Sequence, residues 1–474
     1  MMMLQGLCLA LPLGGCLLNN DKPDPALDIP QAYSAGPRDA AAAAARMPPN
    51  DWWRSFRSSE LTEIIEVARE ANLDIAAAVA RIVQADAQSR ITGAALLPAV
   101  GLNAGATRAR GSQTTAGGGN NFGASESNNL SASLTASYEI DFWGKNRSLV
   151  RAAEETAIGT RFDREVIALS TEAAAANAYF QVLASQDRLQ VARNNVNSAN
   201  RVLDLIKQRL SAGTASALEV AEQQSVVDTQ RALVPPLEQT LRLNKVTLAL
   251  LMARPFERVN IRGGSLRGLA YPRVTPGLPS ELLTQRPDIR EAEALLAAAN
   301  ANVYNARTQF LPSIVLTGEG GYQSAVLKTL LEPQSAFYTL TAGLTQPIFQ
   351  GGQLLGNLDL QKGRQDELLA DYRKSVISGF SDVENALDGI RQTAARERLQ
   401  QNVVTSSRLA FDISEQRLRE GTLDLVTVLQ TQQTLYTAED LMVQAQLAHY
   451  QAIVSLYQAL GGGWHPKPVV ADAR

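Results

Sequence analysis

Between Ser131 and Phe142, apolar or small side chains hold every even position: Ala132, Leu134, Ala136, Tyr138, Ile140 and Phe142. Polar ones hold every odd position: Ser131, Ser133, Thr135, Ser137, Glu139 and Asp141. A β-strand points alternate side chains to opposite faces, so the stretch predicts a strand with one oily and one wet face. Val100, Leu102, Ala104 and Ala106 alternate in the same way with Gly101, Asn103, Gly105 and Thr107, ahead of a glycine-rich connection. Farther on, Ile314 and Leu316 alternate with Ser313 and Thr317, although Val315 breaks the polar face. Tyr338, Leu340, Ala342 and Leu344 alternate with Thr339, Thr341, Gly343 and Thr345. The pattern predicts two hairpins. Their oily face needs either a protein core or lipid. Four strands cannot close a membrane barrel, which needs about eight or more. Open edges cannot face lipid, where unpaired backbone groups stay unsatisfied. Lipid on the oily face therefore requires several chains in one barrel.

Elsewhere the period is helical. From Glu60 to Leu97 there is no proline, and Leu61, Ile64, Ile65, Ala68, Leu73, Ala76 and Val79 fall at helical spacing. Residues 144–212 and 350–420 contain no proline, and 422–460 contain neither proline nor glycine. A helix over 144–212 would span roughly 100 Å. In the last segment, Leu429, Tyr436, Val443, Tyr450 and Tyr457 recur every seven residues, beside Val428, Leu435, Met442, His449 and Leu456. A strict seven-residue repeat predicts supercoiled helices. Gln432, Glu439 and Gln446 recur on another line and read as a wet flank. An ordinary coiled coil with a solvated outer face shares this pattern. Pro235 and Pro236 predict a bend or break in the first returning helix.

The chain also repeats itself. "QRLSAGTASALEV" at Gln208 answers "QRLREGTLDLVTV" at Gln416, "LPAV" at Leu97 answers "LPSI" at Leu311, and "DFWG" at Asp141 answers "IFQG" at Ile348. Each half follows one order: helix, hairpin, long helix, tip, returning helix. The parts are a helix at 60–96, a hairpin at 97–143 and a helix pair at 144–253 turning at Gly213. A proline-rich linker at 254–285 reads as a compact girdle. A helix at 286–310, a hairpin at 311–349 and a helix pair at 350–461 turning at Gly421 follow, then a tail at 462–474.

Composition narrows the class. The 474 residues carry a net charge of −3, which does not suggest a nucleic-acid partner. No apolar run long enough for a helical membrane span follows the N-terminus. The two histidines, His449 and His465, show no metal-ligand spacing. His449 lies in the apolar stripe and reads as a packed histidine. "GEGGY" at Gly318 lies in a predicted strand and opens no helix with the lysine of a phosphate loop. No enzyme chemistry and no cofactor are indicated. The N-terminus, "MMMLQGLCLALPLGGCLLNN", resembles a bacterial lipoprotein signal. That resemblance implies removal of residues 1–15, lipid on Cys16 and a tether over 16–59. Leu17, in place of aspartate, then favours the outer membrane.

"WWRSFRSSELTEIIEVAREANLDIAAAVARI", "LPSELLTQRPDIREAEALLAAANA", "LPSIVLTGEGGY" and the two "QRL..GT" tips resemble the outer-membrane efflux lipoproteins of the TolC family, NodT branch. The resemblance covers almost the whole chain after Cys16. It implies an α+β membrane duct: a homotrimer with a twelve-stranded β-barrel, four strands per chain, continued by a twelve-helix α-barrel across the periplasm. The implied partners are a periplasmic adaptor and an inner-membrane pump of the resistance-nodulation-division class. The implied cargo is small toxic compounds such as drugs or metals. Lipid then covers the even side of residues 131–142 and water the odd side. A type I protein-secretion duct is an alternative, as is a periplasmic coiled-coil structural lipoprotein, which leaves the four strands unexplained.

In this family the tips meet the adaptor and form the closing iris. The resemblance places Arg209, Leu210, Gly213 and Thr214 at one tip and Arg417, Leu418, Gly421 and Thr422 at the other. The family's iris aspartates fall about nine residues past the second-tip glycine, where this chain has Gln430. Glu219, Glu222 and Asp424 are the acidic candidates nearby.

Overall fold

The computed structural model describes residues 24–27, 29–30, 33–34, 48–110, 126–274, 277 and 279–464. Cys16, residues 111–125 and His465 lie outside the described residues. Among the described residues, eight α-helices and four strands carry the fold. They are α1 Ser59–Ala71, α2 Leu73–Gly93, β1 Ala99–Arg110, β2 Glu126–Ile140, α3 Lys145–Ser211, α4 Ala217–Leu251, α5 Pro279–Gln285, α6 Pro287–Thr308, β3 Ser313–Ser324, β4 Ala336–Thr345, α7 Gln353–Arg419 and α8 Leu425–Ala459. After each hairpin comes a helix of 67 residues and then one of 35. Among the described residues, no helix is long and apolar enough to cross a membrane.

The chain divides into two compact units. The first consists mainly of Arg81–Thr160 and Ala292–Tyr372, and its centre is an antiparallel sheet in the order β1-β2-β3-β4. The register keeps like faces together. Leu134 pairs with Leu102 on β1 and Gly320 on β3, and Tyr138 pairs with Leu316. Gly320 in turn pairs with Tyr338, and Ile314 with Leu344. All even positions therefore share one face and all odd positions the other. The sheet passes into helix at Asp141, whose carboxylate accepts the backbone N–H groups of Asn146 and Arg147, both at 2.9 Å. The indole of Trp143 donates to the carbonyl of Pro312 at 2.8 Å, which ties this junction to the start of β3.

The second unit, Ala26–Ala80, Arg161–Glu291 and Arg373–Arg474, is helical. Its main core gathers Trp52, Trp53 and Phe56 with Ala173, Ala176, Phe180 and Leu183 of α3 and Tyr450, Val454 and Tyr457 of α8. Alanines along α3 allow close helix approach, and aromatic rings fill the gaps. The girdle segment is bound tightly to this core. Glu60 accepts from the N–H of Arg262 at 2.7 Å, Asp187 accepts from that of Leu266 at 2.9 Å, and the hydroxyl of Tyr450 reaches the carbonyl of Leu269 at 3.0 Å. His449 is packed: Nδ1 lies 2.7 Å from Glu397 and the ring stacks on Tyr271.

Several expectations need correction. The helix at 60–96 is two helices. Asn72 leaves helical geometry, and its Oδ1 accepts the N–H groups of Asp74 and Ile75 while its amide donates to the carbonyl of Leu251. The side chain thus caps the second helix, a local competition that asparagine wins readily. The tether does not extend to residue 59, because Trp52–Phe56 form a 3-10 turn buried in the core. Nor is 462–474 wholly a tail: Gly461–Gly463 are buried, and Trp464 meets Phe162 edge-on. Of the bend or break expected at Pro235-Pro236, the break is absent, since α4 runs through both prolines as one helix. Both are exposed, so water can take over the carbonyls of Arg231 and Ala232 that lose their amide partners. Finally, the line Gln432, Glu439 and Gln446 is not wet. Gln432 and Gln446 are buried, and Glu439 pairs with Arg408.

Candidate functional site

The first candidate region is the pair of helix turns in the second unit. Gly213 and Gly421 take left-handed backbone angles, φ 74° and 75°. The same bonds close both turns. The N–H of Thr214 reaches the carbonyl of Arg209 at 2.8 Å, and that of Thr422 reaches Arg417 at 2.9 Å. Each is a glycine-terminated helix end whose last carbonyls are satisfied by the backbone that follows. A side chain at either glycine would meet open space, so the cost of substitution is backbone strain alone.

Their neighbours split into two groups. Arg209 is used internally, its guanidinium donating to the carbonyl of Leu418 at 3.0 Å and to that of Thr214 at 3.3 Å. Leu418 is buried with Phe411, Leu425 and Val428. Their counterparts differ. Leu210 is exposed, and Arg417 is exposed. Thr214 and Thr422 are exposed, and each hydroxyl donates to the arginine carbonyl five residues back. Sequence reasoning missed Leu218 and Val426. These large apolar side chains lie one helical step past each tip, 66% and 55% exposed. Their signal was an apolar residue at the second position of a capped helix.

Two of the acidic iris candidates are helix caps. Glu219 and Ser216 form a reciprocal capping box: Oε2 of Glu219 accepts from the N–H of Ser216 at 2.6 Å, and Oγ of Ser216 accepts from that of Glu219 at 3.2 Å. The S-x-x-E spacing announced it. Asp424 caps α8 by accepting the N–H of Thr427 at 2.8 Å, a bond that holds its carboxyl below the usual range. Glu222 is half-buried and Gln430 exposed. Glu219 and Glu222 stand three residues apart on α4, and no hydrogen bond joins any of these four to another.

The second candidate region is the sheet. Leu102 is 75% exposed, Leu134 56%, Tyr338 80% and Leu340 79%, a contiguous apolar face of the kind that marks a partner or a membrane. Phe142 and Phe349, just outside the strands, are exposed as well. The opposite face carries hydroxyls, with Ser133 donating to Glu319 at 2.7 Å. Among the described residues, no group of three His, Cys, Asp or Glu side chains could hold a metal ion.

Comparison with known proteins bears on both regions. The family model described as outer membrane efflux protein matches residues 64–254 and 278–462. The pyoverdine export outer membrane protein OpmQ of Pseudomonas putida is 41% identical over 464 residues, covering 97% of each chain. The cation efflux system protein CusC of Escherichia coli is 27% identical, covering 96% of this chain and 98% of its own. Among solved structures, the outer-membrane channel OprN superposes with a TM-score of 0.85 at 25% identity, covering 94% of this chain and all of its own. The open state of the MtrE outer membrane channel of Neisseria gonorrhoeae gives 0.82 at 27% identity, covering 94% and 97%. With the family model on both halves and the channel fold along nearly the whole chain, the protein belongs to the outer membrane efflux protein family.

Proposed function

We propose that the chain is the outer-membrane channel of a tripartite efflux system. In this reading it works as a homotrimer and conducts small compounds outward from an inner-membrane pump of the resistance-nodulation-division class through a periplasmic adaptor. The observation that carries the reading is the sheet. Its even face is apolar at 100–106, 130–140, 314–322 and 336–344, with Arg108, Arg110 and Glu126 at the far end of the first hairpin; its odd face is largely polar, and β1 and β4 each have one unpaired edge. Lipid tolerates the even face but not the edges. Three copies joined edge to edge would make twelve strands with water on the odd face. Phe142 and Phe349 then suit an aromatic girdle at the lower interface. The adaptor is assigned to the tips, through Leu210, Arg417, Leu218 and Val426 beside Gly213, Thr214, Gly421 and Thr422. Lipid on Cys16 would anchor the chain, and palmitate incorporation lost in Cys16→Ser checks that point. The cargo is what the pump delivers, and pyoverdine, named for the OpmQ proteins, belongs on the list to try.

The test is deletion and complementation in the native host. Loss of the chain should raise intracellular accumulation of pump substrates, and the wild-type chain, recovered from outer membranes as a trimer, should lower it again. Unchanged accumulation, together with no conductance of the purified protein across a planar bilayer, would overturn the reading.

A further inference from the structure

Fixed charge is scarce on the polar face of the sheet. The odd positions of β1 to β4 hold serine, threonine, asparagine, glutamine, glycine, alanine, valine and one phenylalanine, with two charged side chains, Glu139 and Glu319. Glu139 is neutralised by Lys145, whose Nζ lies 2.8 Å from its carboxylate. Glu319 has no cation beside it among the described residues. Its Oε1 accepts a 2.7 Å hydrogen bond from the hydroxyl of Ser133, and the side chain is exposed. Its in-register neighbours are Thr135 on β2 and Thr339 on β4, which supply dipoles but no countercharge. The backbone makes the Ser133 contact possible. A Cβ on Gly321 would fall 2.2 Å from the carbonyl oxygen of Ala132 and 2.6 Å from the Cα of Ser133, so β2 and β3 approach here as closely as a glycine allows.

We propose that Glu319 sets the charge preference of the duct, favouring cations over anions of similar size. The proposal rests on reading the polar face as the lumen of a threefold barrel. In that barrel three Glu319 carboxylates stand at one level of the wall. Rings of carboxylates select cations in pores, and low-dielectric walls concentrate their field in the water between them. The hydrogen bond from Ser133 fixes where the charge stands without cancelling it. Selectivity at this level is separate from the tips, because it persists when the tips are held open.

The experiment uses the full chain, purified and inserted into planar bilayers under a KCl gradient. Glu319→Gln removes the charge and keeps the size, and Glu319→Lys inverts it. The wild-type reversal potential should lie on the cation side. It should shift toward neutrality in Glu319→Gln and toward the anion side in Glu319→Lys, with the yield of detergent-resistant trimer unchanged. Equal reversal potentials in all three conducting proteins overturn the assignment and leave the duct standing. A wild-type chain that never conducts overturns the duct and this assignment with it.

Discussion

Gln223 and Gln432, 209 positions apart in the chain, meet inside the helical unit with Nε2 of the first 3.4 Å from Oε1 of the second. Neither is exposed. Gln223 also donates to the carbonyl of Ala199, and Gln432 donates to the hydroxyl of Tyr436. The two returning helices are therefore tied to each other by a polar bridge in a dry place. Removing one partner strands the other, at about 1–3 kcal/mol. Gln432→Leu should lower the thermal midpoint in detergent. Adding Gln223→Leu to it should cost less than the two single changes summed. Strict additivity in the double-mutant cycle would dissolve the bridge.

The two sheet faces should respond oppositely to one charge. Leu134→Arg puts a cation on the apolar face, at roughly 2–4 kcal/mol per chain if that position is near mid-membrane. Thr135→Arg puts it on the polar face. Trimer yield in outer-membrane fractions should collapse for the first variant and hold for the second. Equal yields would show that the faces have been assigned wrongly.

Arg209 and Arg417 hold equivalent places at the two tips but do different work. Arg209→Ala removes a charge-assisted bond to a carbonyl of the other tip, at about 1.5–3 kcal/mol. Arg417→Ala should change stability by less than about 0.5 kcal/mol, since it makes no such bond. Photocrosslinking to a co-expressed adaptor should nevertheless fall in Arg417→Ala. Crosslinking that survives this change would remove Arg417 from the docking surface.

Glu172 gives the helical unit a pH dependence. Burial raises its pKa to about 7, against the pull of Arg69, whose guanidinium lies 3.0 Å away. The folded chain thus holds the proton more tightly than the unfolded chain does. The stabilisation is complete below the ordinary glutamate range and is lost as pH rises through about 7, on the order of 3 kcal/mol in all. Thermal midpoints should fall between pH 5 and pH 8 for the wild type. The slope should flatten in Glu172→Gln. An identical slope in that variant would place the titrating group elsewhere.

The hairpins, the long helices and the tip glycines were legible because each is written in a local pattern: alternation, absence of breakers, a glycine where the chain must reverse. What escaped was set by neighbours distant in sequence. Gln432 reads as wet on its own helix and is dry because Gln223 and Tyr436 cover it. Trp52 and Trp53 read as part of a tether, although a large core waits for them. Glu219 and Asp424 look like gate carboxylates by position, and the S-x-x-E spacing that makes the first a cap was there to be read. Glu319 was passed over because a lone charge has no period. Its meaning comes from the register, which sets Thr135 and Thr339 beside it and no countercharge.

The core around Trp52 is closed from both ends of the chain. The hydroxyls of Ser55 and Tyr457 lie 3.1 Å apart across 402 positions of sequence, and Trp52 stacks on Tyr457. Such a contact has to wait for almost the whole polypeptide, and late, long-range closure makes folding slow. A chain that emerges N-terminus first exposes two tryptophans and a phenylalanine for the duration of its own delivery.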